Sequence, residues 1–268
     1  MLGLLWLSIG IALVPLLSVF GYVVSKGYSA LNFEFFTSLP TPVGTPGGGV
    51  ANSLLGSGTI VGIAGLIGIP WGIAVGVYLS EYGVGKVAAF MRFTTDLMTS
   101  IPSIVIGIFV YSVLVKPWLG FSAYAGGAAL AIIIIPIVAR TTEEVLRLVS
   151  ASVREAALAL GIPRWKVILR VVVRGSLPGI LTGVMLAIAR VAGETSPLLM
   201  TAFNNRFWSH GLGEPTATLP VQIYTYAISP FEDWHRQAWA GALVLTFFVL
   251  VLSLLARAIL SRNKVRHD

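Results

Sequence analysis

The chain has 268 residues, 56% of them hydrophobic and only 11% charged, with a mean hydropathy of +0.87. Soluble domains carry about 25% charged residues, so a water-facing globule is excluded and the bilayer is the expected solvent, where no helix needs a polar outer face. The net charge of +7 is dispersed over alternate segments, which argues against nucleic acid; with no cysteine and three scattered histidines (His210, His235, His267), a disulfide framework or metal site is not expected either.

A membrane crossing takes roughly 20 apolar residues over about 30 Å of hydrocarbon. Six segments reach that length: residues 2–24, 50–79, 87–115, 121–139, 177–203 and 239–260. The first lacks a basic start and exceeds the usual apolar signal core, so a retained helix is expected rather than a cleaved leader. The run Pro40-Thr41-Pro42-Val43-Gly44-Thr45-Pro46-Gly47-Gly48-Gly49 predicts an extended or turning segment before the second span. Its three successive glycines could cradle a phosphate, but no Lys-Ser/Thr follows them, and a flexible lead into the next helix is preferred.

Spans two to four are rich in glycine and proline, including Gly68, Gly72, Gly76, Pro102 and Pro136. Small residues allow membrane helices to pack closely. Pro102 and Pro136 could also serve as bending points in a transport cycle, and spacing alone leaves both readings open.

Six spans put both termini on one side of the membrane. Of the 18 Lys and Arg, Lys26, Lys116, Arg206 and Arg236 fall on the opposite side, and Arg190 belongs to neither side. The remainder lie on the terminal side, so the positive-inside rule predicts cytoplasmic termini and a cytoplasmic 140–176 loop.

That loop is rich in local signals. Ser152 and Glu155 have capping-box spacing and predict a short helix through Leu160. Gly161 is suited to stopping it, and Pro163 to the first turn of another. In this second helix Trp165, Ile168, Leu169 and Val172 recur at helical spacing, with Lys166, Arg170 and Arg174 along another face. Such an amphipathic helix suits the membrane interface. Two short helices meeting at a corner form a compact knob.

The pattern Glu155-Ala156-Ala157 followed by Gly161 resembles the EAA loop of bacterial ABC-importer permeases. The resemblance implies that Glu155, Ala156, Ala157 and Gly161 couple the chain to a cytoplasmic ATPase. The family pattern continues to a proline at the place held here by Arg174, while Leu177-Pro178 follows slightly later.

Span five carries two charges. Counting about 1.5 Å per residue from Pro178 puts Arg190 roughly 18 Å and Glu194 roughly 24 Å along the helix, near mid-membrane and in the outer half. Each charge costs at least ~2.5–3.5 kcal/mol at the centre of a bilayer. The i, i+4 spacing predicts a shared helix face, and Pro197 cannot donate to the Gly193 carbonyl, which loosens the helix there. One reading is a self-neutralising ion pair that pins two helices. The other is an anion path, in which the planar Arg190 guanidinium meets an oxyanion and Glu194 holds that guanidinium or repels the solute onward.

The string Gly193-Glu194-Thr195-Ser196-Pro197-Leu198 is similar to the Gly-Glu-Thr-Ala-Pro-Leu motif of phosphate ABC-importer permeases of the PstA type, with Ser196 in place of Ala. Ile101-Pro102-Ser103-Ile104-Val105-Ile106-Gly107, Arg140-Thr141-Thr142-Glu143-Glu144 and Leu219-Pro220-Val221-Gln222-Ile223-Tyr224 extend the resemblance over about residues 50–260. It implies an all-α membrane protein of one permease domain over 1–268, with six transmembrane helices in the type I, MetI-like fold and cytoplasmic coupling helices.

The implied partners are a PstC-type second permease, two PstB-type ATPases and an extracytoplasmic PstS-type phosphate-binding protein, in the inner (plasma) membrane of the cell. No Walker A motif occurs, so the chain is expected to be no enzyme and to hold no cofactor, ATP and Mg²⁺ belonging to the ATPase. Arg190, Glu194, Thr195 and Arg140 are the expected substrate-path residues, Arg140 being equally suited to anchoring at headgroups. Sulfate, molybdate or phosphonate import, or an ion-coupled secondary transporter, are the alternatives.

Overall fold

The computed structural model describes residues 2–45 and 47–264, with side chains for 6–45 and 47–259; Pro46 of the turning segment, and Arg266 and His267, lie outside the described residues. Among the described residues the ordered elements are all helical. They comprise α1 (Leu2–Gly27), α2 (Phe33–Thr37), α3 (Ala51–Glu81), α4 (Lys86–Ser100), α5 (Ser103–Val110), α6 (Ala123–Arg147), α7 (Ala151–Ala159), α8 (Arg164–Val167), α9 (Arg174–Val191), α10 (Ser196–Thr201), α11 (Leu219–Ala227) and α12 (Glu232–Lys264).

Five helical stretches are long and apolar enough to cross a bilayer: Trp6–Ala30, Ala51–Glu81, Ala123–Arg147, Arg164–Val191 and Glu232–Ile259. A sixth crossing exists only if α4 and the helix Ser103–Leu119 are taken together, and these are bent by 102°. The expected straight span 87–115 is therefore corrected to a broken one. Pro102 drives the preceding Ile101 out of helical geometry, to φ −70° and ψ 130°, so α4 ends at Ser100.

The fifth span is also redrawn. A π-helical turn, Ile168–Val173, joins α8 to α9, so one continuous helix runs from Arg164 to Val191 with Pro178 inside it rather than at its start. The separate amphipathic helix expected on the cytoplasmic loop is the first part of this rod. At the other end the rod stops at Val191, short of the expected 203, and the chain turns at Ala192–Gly193 before α10. Pro197, without an N–H, cannot extend the ladder across that break.

The core is a parallel pair, α3 and α6, running in the same direction. Gly68, Gly72 and Gly76 recur at four-residue steps on α3 and let α6 approach. A Cβ at Gly72 would lie 2.7 Å from Val138 Cβ, and one at Gly76 would lie 2.6 Å from the Ala139 carbonyl oxygen. Leu130, Ile134 and Val138 of α6 are fully buried. The small-residue packing expected of this region is thus realised, and α6 runs unbroken through Pro136.

α9 lies antiparallel to α6, with Gly183 against Thr141 and Gly179 against Val145. α1 packs chiefly on α12, where Tyr22 and Trp239 meet edge to face with ring centroids 5.1 Å apart. At one end of the bundle, residues 28–45 and 47–50 form a cap in which Asn32 accepts the Phe35 N–H at 2.7 Å to start α2, a helix the sequence did not announce. Phe35 is 1% exposed and packs with Val50, Leu219 and Ala240. The opposite end carries α7 and α8.

Candidate functional site

Two regions carry the predicted residues. The first is the α7–α8 corner. α7 begins two residues earlier than expected: Ser150 is its N-cap residue, with φ −64° and ψ 148°, and gives no side-chain capping bond. The Ser152–Glu155 capping box does not form, because Ser152 already lies inside the helix, where its hydroxyl meets the Ser150 hydroxyl at 3.0 Å. The helix end follows the expectation, with Ala159 the last residue and Gly161 at φ +75°, a left-handed conformation that L side chains resist. The Pro163 carbonyl then accepts the Lys166 N–H at 2.8 Å and starts α8.

Glu155 and Ala156 face outward, whereas Ala157 is 8% exposed and packs into the main core. Ile168 and Val172 of the following rod are buried, while Trp165 and Leu169 remain exposed, so only half of the predicted apolar stripe is used within the chain. The Glu155 carboxylate has no hydrogen-bond or ion-pair partner among the described residues, and the motif therefore presents an acidic side chain at an exposed corner.

A set of ion pairs underlies this corner. Arg154 bonds Glu81 at the end of α3, with Nη2 to Oε1 at 2.7 Å. It also donates to the Leu146 carbonyl at 2.9 Å, and to the Val149 carbonyl, capping the end of α6. Glu143, 2% exposed, accepts from Arg92 at 2.7 Å and from Arg147 at 2.5 Å. Arg92 further donates to the carbonyls of Leu79 and Gly83, at 2.8 and 3.2 Å. Charged donors aimed at helix C-termini satisfy carbonyls that have no partner in the helix.

The second region is a small cleft of about 20 Å³ bordered by Arg190 and Glu194, together with Met98, Thr99, Ile101, Ser103, Ile106, Ile133, Pro136 and Ile137. The antiparallel register of α9 on α6 carries Arg190 level with about Ile134, halfway along α6. Neither the Arg190 nor the Glu194 side chain forms a hydrogen bond or ion pair with another described residue. The shared helix face expected for them is corrected: α9 ends at Val191, and Glu194 lies beyond the turn. The self-neutralising pair is therefore absent.

Thr195 is the N-cap residue of α10 and is half-buried; its carbonyl accepts the Leu199 N–H at 3.1 Å. Arg140 follows Ile133, Pro136 and Ile137 at three- and four-residue steps, which places it on the cleft-bordering face of α6. It is exposed and paired with Glu144 at 2.8 Å, and more loosely with Asp96 at 3.9 Å. The geometry is thus a free guanidinium halfway along the bundle, with a second, carboxylate-shielded arginine closer to the α7 end. Such a face can attract an oxyanion without a preformed cage.

Residues 68–264 match the family described as binding-protein-dependent transport system inner membrane components. The phosphate transport system permease protein PstA of Yersinia pestis is 49% identical over 242 residues, which cover 90% of this chain and 82% of that protein. The chain belongs to the PstA-type branch of this family. Among solved structures, a bacterial ABC transporter involved in the import of the acidic polysaccharide alginate gives a TM-score of 0.63 at 13% identity, covering 96% of each chain. The inward-facing MetNI methionine ABC transporter gives 0.58 at 18% identity, over 78% of this chain and 94% of that one. At those identities the likeness is one of fold, and the fold is that of MetI-like ABC-importer permeases.

Sequence reasoning missed the buried part of this permease's charge pattern. Arg154 and Arg92 counted only toward sidedness, and Glu81 was not singled out at all. The pairings themselves leave no local signal, because Arg154 stands 73 residues from Glu81 and Arg92 stands 51 residues from Glu143.

Proposed function

We propose that the chain is one permease half of an ATP-driven importer that carries inorganic phosphate into the cell. The observation that carries this reading is the 49% identity to a PstA phosphate permease over 90% of the chain. The unpaired Arg190 at mid-bundle is consistent with it, because a planar guanidinium offers paired donors to a tetrahedral oxyanion.

In this reading the chain pairs with a PstC-type permease, receives phosphate from a PstS-type binding protein and docks on one of two PstB-type ATPases, which bind ATP and Mg²⁺. The termini and α7–α8 face the cytoplasm. Arg190, Glu194 and Thr195 line the path, and Arg140 stands nearer the inner exit, where Glu144 and Asp96 shield its charge and favour release. Glu155, Ala156 and Ala157, with the turn at Gly161, form the ATPase contact. ATP closes the ATPase dimer and draws the docked corners together, the paired permeases open outward, and hydrolysis resets them.

The test is uptake of labelled phosphate into proteoliposomes holding the assembled transporter. Uptake is expected to require ATP and to resist competition by sulfate, molybdate and phosphonate. Uptake that persists without ATP and collapses with an uncoupler would sink the reading. Glu155→Ala is expected to lower phosphate moved per ATP hydrolysed while leaving membrane insertion intact; an unchanged ratio contradicts the coupling role.

A further inference from the structure

The α7–α8 corner lies between α6 and α9 in the chain, so the backbone alone would pass its displacement to those two helices. The side chains add a third connection. Arg154 Nε lies 3.2 and 3.3 Å from the two Glu81 carboxylate oxygens, and Nη2 lies 2.7 Å from Oε1. The Glu81 and Arg154 side chains are 7% and 23% exposed, so this charge-assisted pair is largely sheltered from water.

Arg164 reaches the same point from the other arm of the corner. It donates to the Glu81 backbone carbonyl at 2.6 Å and lies over the Tyr82 ring, 4.7 Å from its centroid. The end of α3 is therefore gripped from α7 and from α8 together. α3 is locked along its length to α6 by the Gly68–Gly72–Gly76 seam, and α6 supplies one wall of the Arg190 cleft.

We propose that Arg154, Glu81 and Arg164 form a clamp through which the corner drives the α3–α6 pair as one body during transport. Arg154 and Glu81 act as positioning residues that touch neither solute nor nucleotide. The inference rests on the reading of α7–α8 as the ATPase-docking corner. With the clamp open, the corner tilts on its short connections at 148–150 and 160–163, and ATP is hydrolysed without solute movement.

The test uses the assembled transporter in proteoliposomes and reads labelled inorganic phosphate taken up per ATP hydrolysed. Glu81→Gln removes the ion pair but leaves the Arg154 bonds to the Leu146 and Val149 carbonyls. The ratio is expected to fall by about threefold or more, with hydrolysis retained, a change in the range that coupling residues produce. A Glu81→Cys, Arg154→Cys double variant, bridged by a cleavable thiol-reactive spacer, is expected to regain the ratio and to lose it when reductant cuts the bridge. Because the two readings come from one preparation, folding cannot account for the difference. An unchanged ratio in Glu81→Gln, or a bridge without effect, overturns the clamp, as does failure of the variants to co-purify with the ATPase. Cross-linking of an Ala156→Cys chain to the ATPase reads docking separately. Its absence overturns docking and clamp together, whereas its presence beside an unchanged ratio overturns the clamp alone.

Discussion

Glu143 faces two guanidiniums of unequal worth. Arg92 is 27% exposed and also holds the carbonyls at the end of α3, whereas Arg147 is 54% exposed and spaced four residues along the same helix. Glu143→Ala leaves Arg92 sheltered and unpaired, and is expected to cost about 3 kcal/mol. Arg147→Ala removes only a water-screened contact and should stay within ~0.5 kcal/mol. Thermal denaturation of the purified permease in detergent separates the two, and equal shifts would contradict this ranking. At this scale the sequence shows charges standing out from an apolar background, which is why Arg190 and Glu194 were visible. Arg154 and Glu81 were not, since partners 73 residues apart leave no local pattern.

The seam of α3 shows how an element is set by what it excludes. A Cβ at Gly76 would meet the Ala139 carbonyl oxygen, part of the backbone, at 2.6 Å, whereas one at Gly58 meets nothing within 4 Å. Gly76→Ala is therefore expected to destabilise by ~1–3 kcal/mol through overpacking, and Gly58→Ala to be neutral or slightly stabilising by helix propensity. Relative melting temperatures of the two variants check this. The glycine spacing made the close approach legible without naming the partner helix. Element ends were read less well, because Pro102 and Pro178 carry the same local signal. Pro102 breaks the chain by 102°, whereas the rod continues through Pro178, and surrounding packing decides which.

For the molecule as a whole, hydropathy located every crossing, because each membrane helix must satisfy its own backbone and so stands out as an apolar run. It could not distinguish a straight crossing from the α4–α5 elbow, since composition is insensitive to direction. Orientation is open to a direct measurement, as the chain contains no cysteine. Leu160→Cys, at the exposed corner after α7, and Val43→Cys, exposed in the opposite cap, report the two faces. In intact cells stripped of any outer envelope, a membrane-impermeant maleimide is expected to label Val43→Cys and to spare Leu160→Cys; the reverse pattern inverts the proposed topology.

The π turn at Ile168–Val173 gives the rod from Arg164 to Val191 a rotational phase. A π turn holds one residue more than the α turn it replaces. Deleting one residue within 168–173 lets the segment relax to α geometry with both flanks still facing their neighbours. Deleting one residue from 180–187, where the helix is already regular, turns Arg190 by about 100° away from the cleft wall on α6. Phosphate uptake is expected to survive the first deletion far better than the second, with both chains still inserted. Angular register between the α7–α8 corner and Arg190 is thus buffered at one place along the rod and fixed everywhere else.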